Sequence, residues 1–245
     1  MAESLWRKRL ESVLAALAIV VCIVFSAVLR FWYNCWGASK DEVLRLLPGD
    51  ERVRRPRLGY TRAITIRARP VQIWPWLVQM GQERGGLYSY EPLENIIGCH
   101  MKNADVIVPE WQHLNLGDTL RLGPKGYPLF KVVAVESGKS IVFAAADLVS
   151  EQVTEISDPM PEEYVNYSWG FYLKPLDDGK TRLIVRARLD YQPRRFFNWL
   201  VWRVFMEPIN FVMERKTLLG IRARAEGTVV ERPESDLAGK LVRQR

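Results

Sequence analysis

The chain has 245 residues, 48% hydrophobic and 26% charged, with a formal net charge of +7. That is ordinary globular material, enough for one domain of about 150–180 residues plus extensions. Its three cysteines form neither a disulfide framework nor a CxxC motif. The basic residues are spread through strands and a tether instead of lining one helix, which argues against a nucleic-acid partner.

Ser12 to Leu29 are 18 consecutive uncharged, mostly apolar positions, a helix of roughly 27 Å, close to the thickness of a bilayer core. A signal peptide fits less well, because its apolar region is shorter and ends in a small-residue cleavage site, whereas Arg30 leads directly into Phe31, Trp32 and Tyr33. The expectation is a single-pass transmembrane helix over about 12–33 within an N-terminal segment 1–36. Trp6 on one side and Trp32 and Trp36 on the other are placed as interfacial contacts. Basic residues flank both ends (Arg7, Lys8 and Arg9; Arg30, Lys40 and Arg45), so the side of the globular domain is left open. Membrane lipids are the expected counter-charge.

Residues 37–58 read as a basic tether with a short helix, opened by Ser39 with Asp41 and Glu42 and stopped by Pro48-Gly49. Tyr60 to Arg67 alternate as a strand through Ile64 and Ile66. Pro70 opens a helix with Ile73, Trp74, Leu77 and Met80 on one face, although Pro75 removes a hydrogen bond past the first turn. Ser89 is expected to cap a second helix, Tyr90 to Ile97, ended by Gly98. Strands follow at Thr119 to Leu122, Leu129 to Glu136, Ser140 to Ala146, Tyr164 to Leu176 and Lys180 to Tyr191. Asp177-Asp178-Gly179 is the hairpin turn between the last two. Glu151 to Glu163 read as a long acidic loop, Arg194 to Glu226 as a long helix, and 227–245 as a disordered tail.

This order, an α+β pattern of strand, two short helices, an antiparallel meander and a long C-terminal helix, resembles the helix-grip fold of the START-like superfamily, also called SRPBCC or Bet v 1-like. The resemblance covers about 59–226. It is carried by Ile64-Thr-Ile-Arg-Ala-Arg-Pro-Val-Gln-Ile-Trp-Pro-Trp-Leu77, by Gln79-Met-Gly-Gln-Glu-Arg-Gly-Gly-Leu-Tyr-Ser-Tyr-Glu91, by Val108-Pro-Glu-Trp-Gln-His-Leu-Asn-Leu-Gly-Asp118 and by Glu207-Pro-Ile-Asn-Phe-Val-Met-Glu-Arg-Lys216. The last two are similar to an uncharacterised prokaryotic branch. The resemblance implies a curved sheet gripping a helix over an apolar cavity for a lipid, isoprenoid or polyketide-like ligand. A minority of such proteins are cyclases or dehydratases. Trp74, Leu77, Arg84, Tyr88, Trp111, Trp169, Phe171, Phe211 and Arg215 are then expected to contact the ligand.

No GxSxG or HExxH motif occurs, and Val133 stands where a phosphate-binding loop ending in Gly138-Lys139-Ser140 needs glycine. Cys99, His100 and His113 with Asp105 or Glu110 make a weak metal constellation, and no cofactor is expected. Arg84, Tyr88, Tyr90 and His113 are the candidates for polarising a carbonyl or moving a proton. Set against that role are a surface turn with Arg84 paired to Glu83 or Glu91, and a buried or capping His113. On a wheel of roughly 100° per residue, Phe197, Leu200, Val204, Phe211 and Leu218 share one face of the C-terminal helix. Trp199, Trp202 and Met206 lie opposite and are assigned to the membrane, the alternative being a separate first helix with Pro208 opening a second one. Arg215 falls inside the apolar face, either snorkelling to its edge or pointing into the cavity. Three functions stay open: a membrane-tethered binding domain, an enzyme of the cyclase type, and an interaction module filled by its own side chains.

Overall fold

The computed structural model describes residues 2–153 and 162–227. Most of the loop expected over Glu151 to Glu163, and the tail beyond Gly227, lie outside the described residues. In chain order the helices are α1 (Ala2–Val24), α2 (Ser26–Asn34), α3 (Lys40–Leu44), α4 (Pro70–Val78), α5 (Glu91–Ile96), α6 (Phe196–Leu200) and α7 (Glu207–Ala225). The strands are β1 (Leu58–Ile66), β2 (Thr119–Arg121), β3 (Leu129–Glu136), β4 (Ser140–Ala146), β5 (Tyr164–Pro175) and β6 (Thr181–Gln192).

The strands form one antiparallel sheet in the order β1-β6-β5-β4-β3-β2. β5 and β6 pair along their whole length, from Tyr164 opposite Gln192 to Pro175 opposite Thr181. Asp177–Gly179 turns between them with positive φ at Asp178 and Gly179, the backbone such a turn requires. β1 returns to pair with β6, Leu58 opposite Leu189, while α4 and α5 carry the chain across to β2. Because strand side chains alternate, Tyr60, Arg62, Ile64 and Ile66 face inward with Tyr167, Trp169, Phe171 and Leu173 of β5. Leu218, Ile221 and Ala225 of α7 and Ile73, Trp76 and Leu77 of α4 close over that face. This is an α+β helix grip.

The outer face of the sheet is also covered. Residues between α2 and β1 lie across β1 and β6, with Ala38 and Leu47 packed on Ala63, Val142, Tyr172 and Ile184. Arg186 of β6 donates to the Asp50 carboxylate at 2.6 Å and to the carbonyls of Glu42, Val43 and Arg45. Arg182 pairs with Glu42 at 2.7 Å. With apolar cover on both sides, Thr61 to Ile64 are all buried, and the simple in–out alternation of β1 disappears. α3 keeps its capping box, Ser39 Oγ accepting from Glu42 N and Glu42 accepting from Ser39 N. It stops at Leu44 because Arg45 is already extended.

Three expected helices are corrected. Residues 12–33 are not one rod: the chain breaks at Phe25, and α1 and α2 meet at a bend of 113°. Among the described residues no single helix is long and apolar enough to cross a membrane, and the bent pair passes that test by length and composition only. Ser89 does not cap α5. Tyr90 occupies the cap position, and Ser89 Oγ instead donates to Met213 O of α7 at 3.1 Å. The C-terminal helix is in three pieces, with a π-helical stretch over Val201–Met206 between α6 and α7 and Pro208 in the first turn of α7. Pro208 has the first-turn place of the alternative reading, but Leu200, Val201, Met206 and Glu207 all stay right-handed helical, so no separate first helix is set off; the π turns only shift the α-helical phase.

α7 is seated closely. A Cβ on Gly220 would lie 2.5 Å from Tyr88 O and 2.9 Å from Tyr88 Cβ. Gly220→Ala gains about 1 kcal/mol of helix propensity but pushes α7 off a backbone that cannot swing aside, an overpacking worth about 1–3 kcal/mol. A net loss of about 0–2 kcal/mol is expected in denaturant melts. A stabilised variant would show that the helix can slide.

Candidate functional site

Sheet and α7 meet around a buried polar cluster that the reading of the sequence did not single out. Arg62 of β1 is fully buried and Glu214 of α7 nearly so; Arg62 Nη1 lies 2.8 Å from Glu214 Oε2. The same nitrogen donates to Asn210 Oδ1 at 2.8 Å, and Arg62 Nε donates to Tyr33 O at 3.0 Å. Glu214 Oε1 accepts from Tyr60 Oη at 2.7 Å and from Trp169 Nε1 at 2.8 Å. The guanidinium carbon sits 3.8 Å from the centre of the Tyr60 ring and 5.2 Å from that of Phe211, so aromatic faces cover the cation. Among the described residues, Arg62 Nη2 has no hydrogen-bond partner.

Burial, and next the negative charge of Glu214, raise the Tyr60 and Tyr167 hydroxyls well above the usual phenol range. Both stay protonated donors near neutral pH, with Tyr60 and Tyr167 in contact at 3.3 Å. The sheet side of the cluster runs into aromatic packing: Trp169 stands 4.8 Å from Phe171, 5.8 Å from Phe130 and 6.0 Å from Phe143, ring centre to ring centre. The cluster therefore joins one ion pair, several fixed donors and an aromatic wall, which suits holding an amphipathic molecule's polar end. Among the described residues neither histidine enters it, since His100 and His113 are both exposed.

The expected ligand contacts divide into wall and surface. Leu77, Trp169 and Phe171 are buried in the main core, and Trp74 packs partly buried against it. Phe211 is buried between α7 and α2, stacked on Tyr33 at 5.5 Å. Arg215 takes the edge placement and not the inward one, which removes it from the cavity contacts: it is exposed, outside the grip, with its guanidinium 5.2 Å from the Trp36 ring, and its neighbour Glu214 points inward. Trp111 is half-buried, and its carbonyl accepts from Arg84 Nη2 at 2.6 Å.

The four candidate catalytic residues do not converge. Arg84 also donates to His113 O at 3.3 Å; it ties its own turn to the Trp111 loop and pairs with neither Glu83 nor Glu91. Tyr88 is buried with a positive φ, its hydroxyl donating to Trp76 O at 3.0 Å and raised by burial. Tyr90 lies at the start of α5, with Lys216 Nζ 5.3 Å from its ring centre. His113 is neither buried nor a cap, and among the described residues its backbone carbonyl, not its ring, is what Arg84 engages. Among the described residues no three His, Cys, Asp or Glu side chains are grouped to hold a metal. A cavity of about 510 Å³ lies elsewhere, lined by Thr65, Arg67, Lys180, Leu219, Arg222, Ala223 and Glu226 near the end of α7.

Of the aromatic residues assigned to a membrane, Trp6, Trp32 and Trp199 are exposed, though the Trp32 ring also meets Phe211 edge-on at 5.2 Å. Trp36 is half-buried against Phe211 and Arg215. Trp202 is also half-buried, stacked on Tyr191 at 6.0 Å. Phe196 and Phe197, which had not been assigned to the membrane, are more exposed than either Trp199 or Trp202.

No family model and no curated protein matches the chain. Among solved structures it is similar to protein NE0264 of Nitrosomonas europaea, at 12% identity over 74% of this chain and 99% of that one, with a TM-score of 0.42. It is similar to the polyketide cyclase-like protein Cgl2372 of Corynebacterium glutamicum, at 15% identity over 67% and 88%, with a TM-score of 0.37. A third similar structure is Ara h 8.0201, at 12% identity over 63% and 97%, with a TM-score of 0.33. With one antiparallel sheet in the order β1-β6-β5-β4-β3-β2, two helices between its first two strands and a long C-terminal helix across its inner face, the chain has a helix-grip fold.

Proposed function

We propose that this chain is a membrane-tethered domain that binds a hydrophobic or amphipathic small molecule, such as a lipid, isoprenoid or polyketide-like compound, by a polar head that accepts a hydrogen bond. The observation that carries this reading is Arg62 Nη2, a buried donor with no protein partner among the described residues, set beside an aromatic wall. Such a donor costs about 1–3 kcal/mol when left unmatched, which a bound oxygen would offset. Because Glu214 already neutralises the guanidinium, the head is a neutral hydroxyl or carbonyl and not a second carboxylate. A ligand this apolar comes from a bilayer, and the uncharged run of α1 keeps the domain beside one.

Native mass spectrometry of the detergent-purified full chain, followed by lipid extraction, is expected to show a copurifying molecule with a hydroxyl or carbonyl head. Arg62→Lys keeps the charge and shortens the donor fork, so it should lose most of that molecule while remaining folded by circular dichroism. Equal ligand in both proteins would remove Arg62 from the site. The same cluster favours a second reading, a module filled by its own side chains, because Phe130, Phe143, Trp169 and Phe171 are all buried within the grip. That reading expects a clean apo mass from both proteins.

A further inference from the structure

We propose that α1 and α2 lie within one leaflet of an anionic bilayer, docked on α7, and do not cross the membrane. The proposal rests on the membrane reading above and adds how contact is made. α1 turns only a narrow stripe toward the domain: Ser12, Ala15 and Cys22 are buried, in line with Lys8, which pairs with Glu91 at 2.9 Å. Glu11 pairs with Lys216 of α7 at 2.8 Å, and Arg30 of α2 with the buried Glu207 at 2.9 Å. Past Glu11 the rest of the surface is mostly apolar and exposed, including Leu14, Leu17, Val21, Phe25, Val28 and Phe31. An apolar surface of this breadth marks a binding face.

Length and docking both oppose a span. The uncharged part of α1, from Ser12 to Val24, is roughly 20 Å long, short of the ~30 Å core of a bilayer. α2 adds nothing along that axis, because it leaves at 113°. Straightening the pair would break three ion pairs, strip the cover from Phe211 and Val212, and leave Glu207 buried without its cation, which is costly. Charge selects the occupant. Arg7 and Arg9 flank the docked stripe at one end of the surface, and Phe205 and Met206, both exposed, extend it beside Glu207 at the other. An apolar face with a basic pair at one end fits anionic lipid better than a second, equally basic copy of the chain.

The test uses the full chain with Cys22, Cys35 and Cys99 replaced by alanine and one cysteine introduced, either Glu3→Cys in α1 or Lys125→Cys in the β2–β3 turn. Bound to sealed phosphatidylcholine/phosphatidylglycerol vesicles, both positions should react equally with a membrane-impermeant maleimide. Labelling of one and protection of the other until the vesicles are lysed means a span, and overturns the proposal while leaving the membrane reading intact. Flotation separates the two further. Arg7→Gln/Arg9→Gln should weaken partition into the anionic vesicles roughly 30-fold, with little change on neutral ones. No flotation of the parent chain with either vesicle, together with a detergent-free dimer, would sink both the proposal and the membrane reading and assign the face to a second copy.

Discussion

Arg62→Met is expected to destabilise the fold by about 3–5 kcal/mol, and Glu214→Leu by a similar amount, because each leaves a buried charge without its partner. The double variant Arg62→Met/Glu214→Leu should lose much less than the two together. No charge is then stranded, and the new side chains extend the apolar packing already provided by Phe211 and Trp169. Recovery will be incomplete. Glu214 also accepts from Tyr60 and Trp169; Tyr60 can turn to Tyr167 at 3.3 Å, but the indole N–H of Trp169 is left unmatched, at about 1–3 kcal/mol. Urea unfolding of the four proteins in one non-ionic detergent gives the coupling. Additive losses would mean that β1 and α7 are held by the surrounding apolar contacts alone, and that the cluster is not a structural joint.

That joint was legible in one half and obscured in the other. Ile64 and Ile66 face the core, so period-2 alternation places Arg62 on the same face. The general rule that charge stays outside hid it, since nothing local announces that Glu214 waits on a helix about 150 residues further on. On α7 the wheel pointed to the wrong neighbour. Treating 194–226 as one helix lets Phe197, Leu200 and Val204 pull the inner face toward Arg215, whereas the π turns of Val201–Met206 put those residues out of phase with Phe211 and Leu218. With α7 taken alone, Glu214 moves inward and Arg215 to the edge.

The sheet itself was readable because its signals are local. β3 and β4 run from Leu129 to Glu136 and from Ser140 to Ala146 as their alternation predicts, and Asp177–Gly179 makes the turn its residues favour. Non-local features were not readable. No proline or glycine marks the break at Phe25; the stripe of α1 that meets α7 and the pairing of Arg30 with Glu207 accompany it. Arg186 likewise gives no hint in β6 that it will gather Asp50 and three carbonyls from the segment before β1. Its charge counts toward the formal +7 yet is matched within the fold.

A second large effect is expected at Glu94, where stability should fall as pH rises. Its carboxylate is buried at 6% exposure, and Oε2 has no hydrogen-bond partner among the described residues. Burial first, and then the like charge of Glu91, raise its pKa from 4.5 to about 7. Glu91 keeps its own charge occupied, accepting from Lys8 at 2.9 Å and from Asn103 N at 2.6 Å, so it offers Glu94 no relief. Below about pH 4.5 both folded and unfolded chains hold the Glu94 proton and the group is neutral to stability. Between about 4.5 and 7 the unfolded chain releases that proton while the folded chain keeps it, so stability is lost progressively. Above about 7 the full penalty, on the order of 3 kcal/mol, is present. Glu94→Gln removes the ionisable group at nearly constant volume. The variant should match the parent within about 1 kcal/mol at pH 4.5 and exceed it by about 3 kcal/mol at pH 8, with the difference opening across the interval between. Urea midpoints at pH 4.5, 6 and 8 measure this directly. A gain of equal size at all three values would assign the effect to packing and not to the carboxylate's charge, and a loss at pH 8 would mean that Glu94 is ionised and partnered in the folded protein.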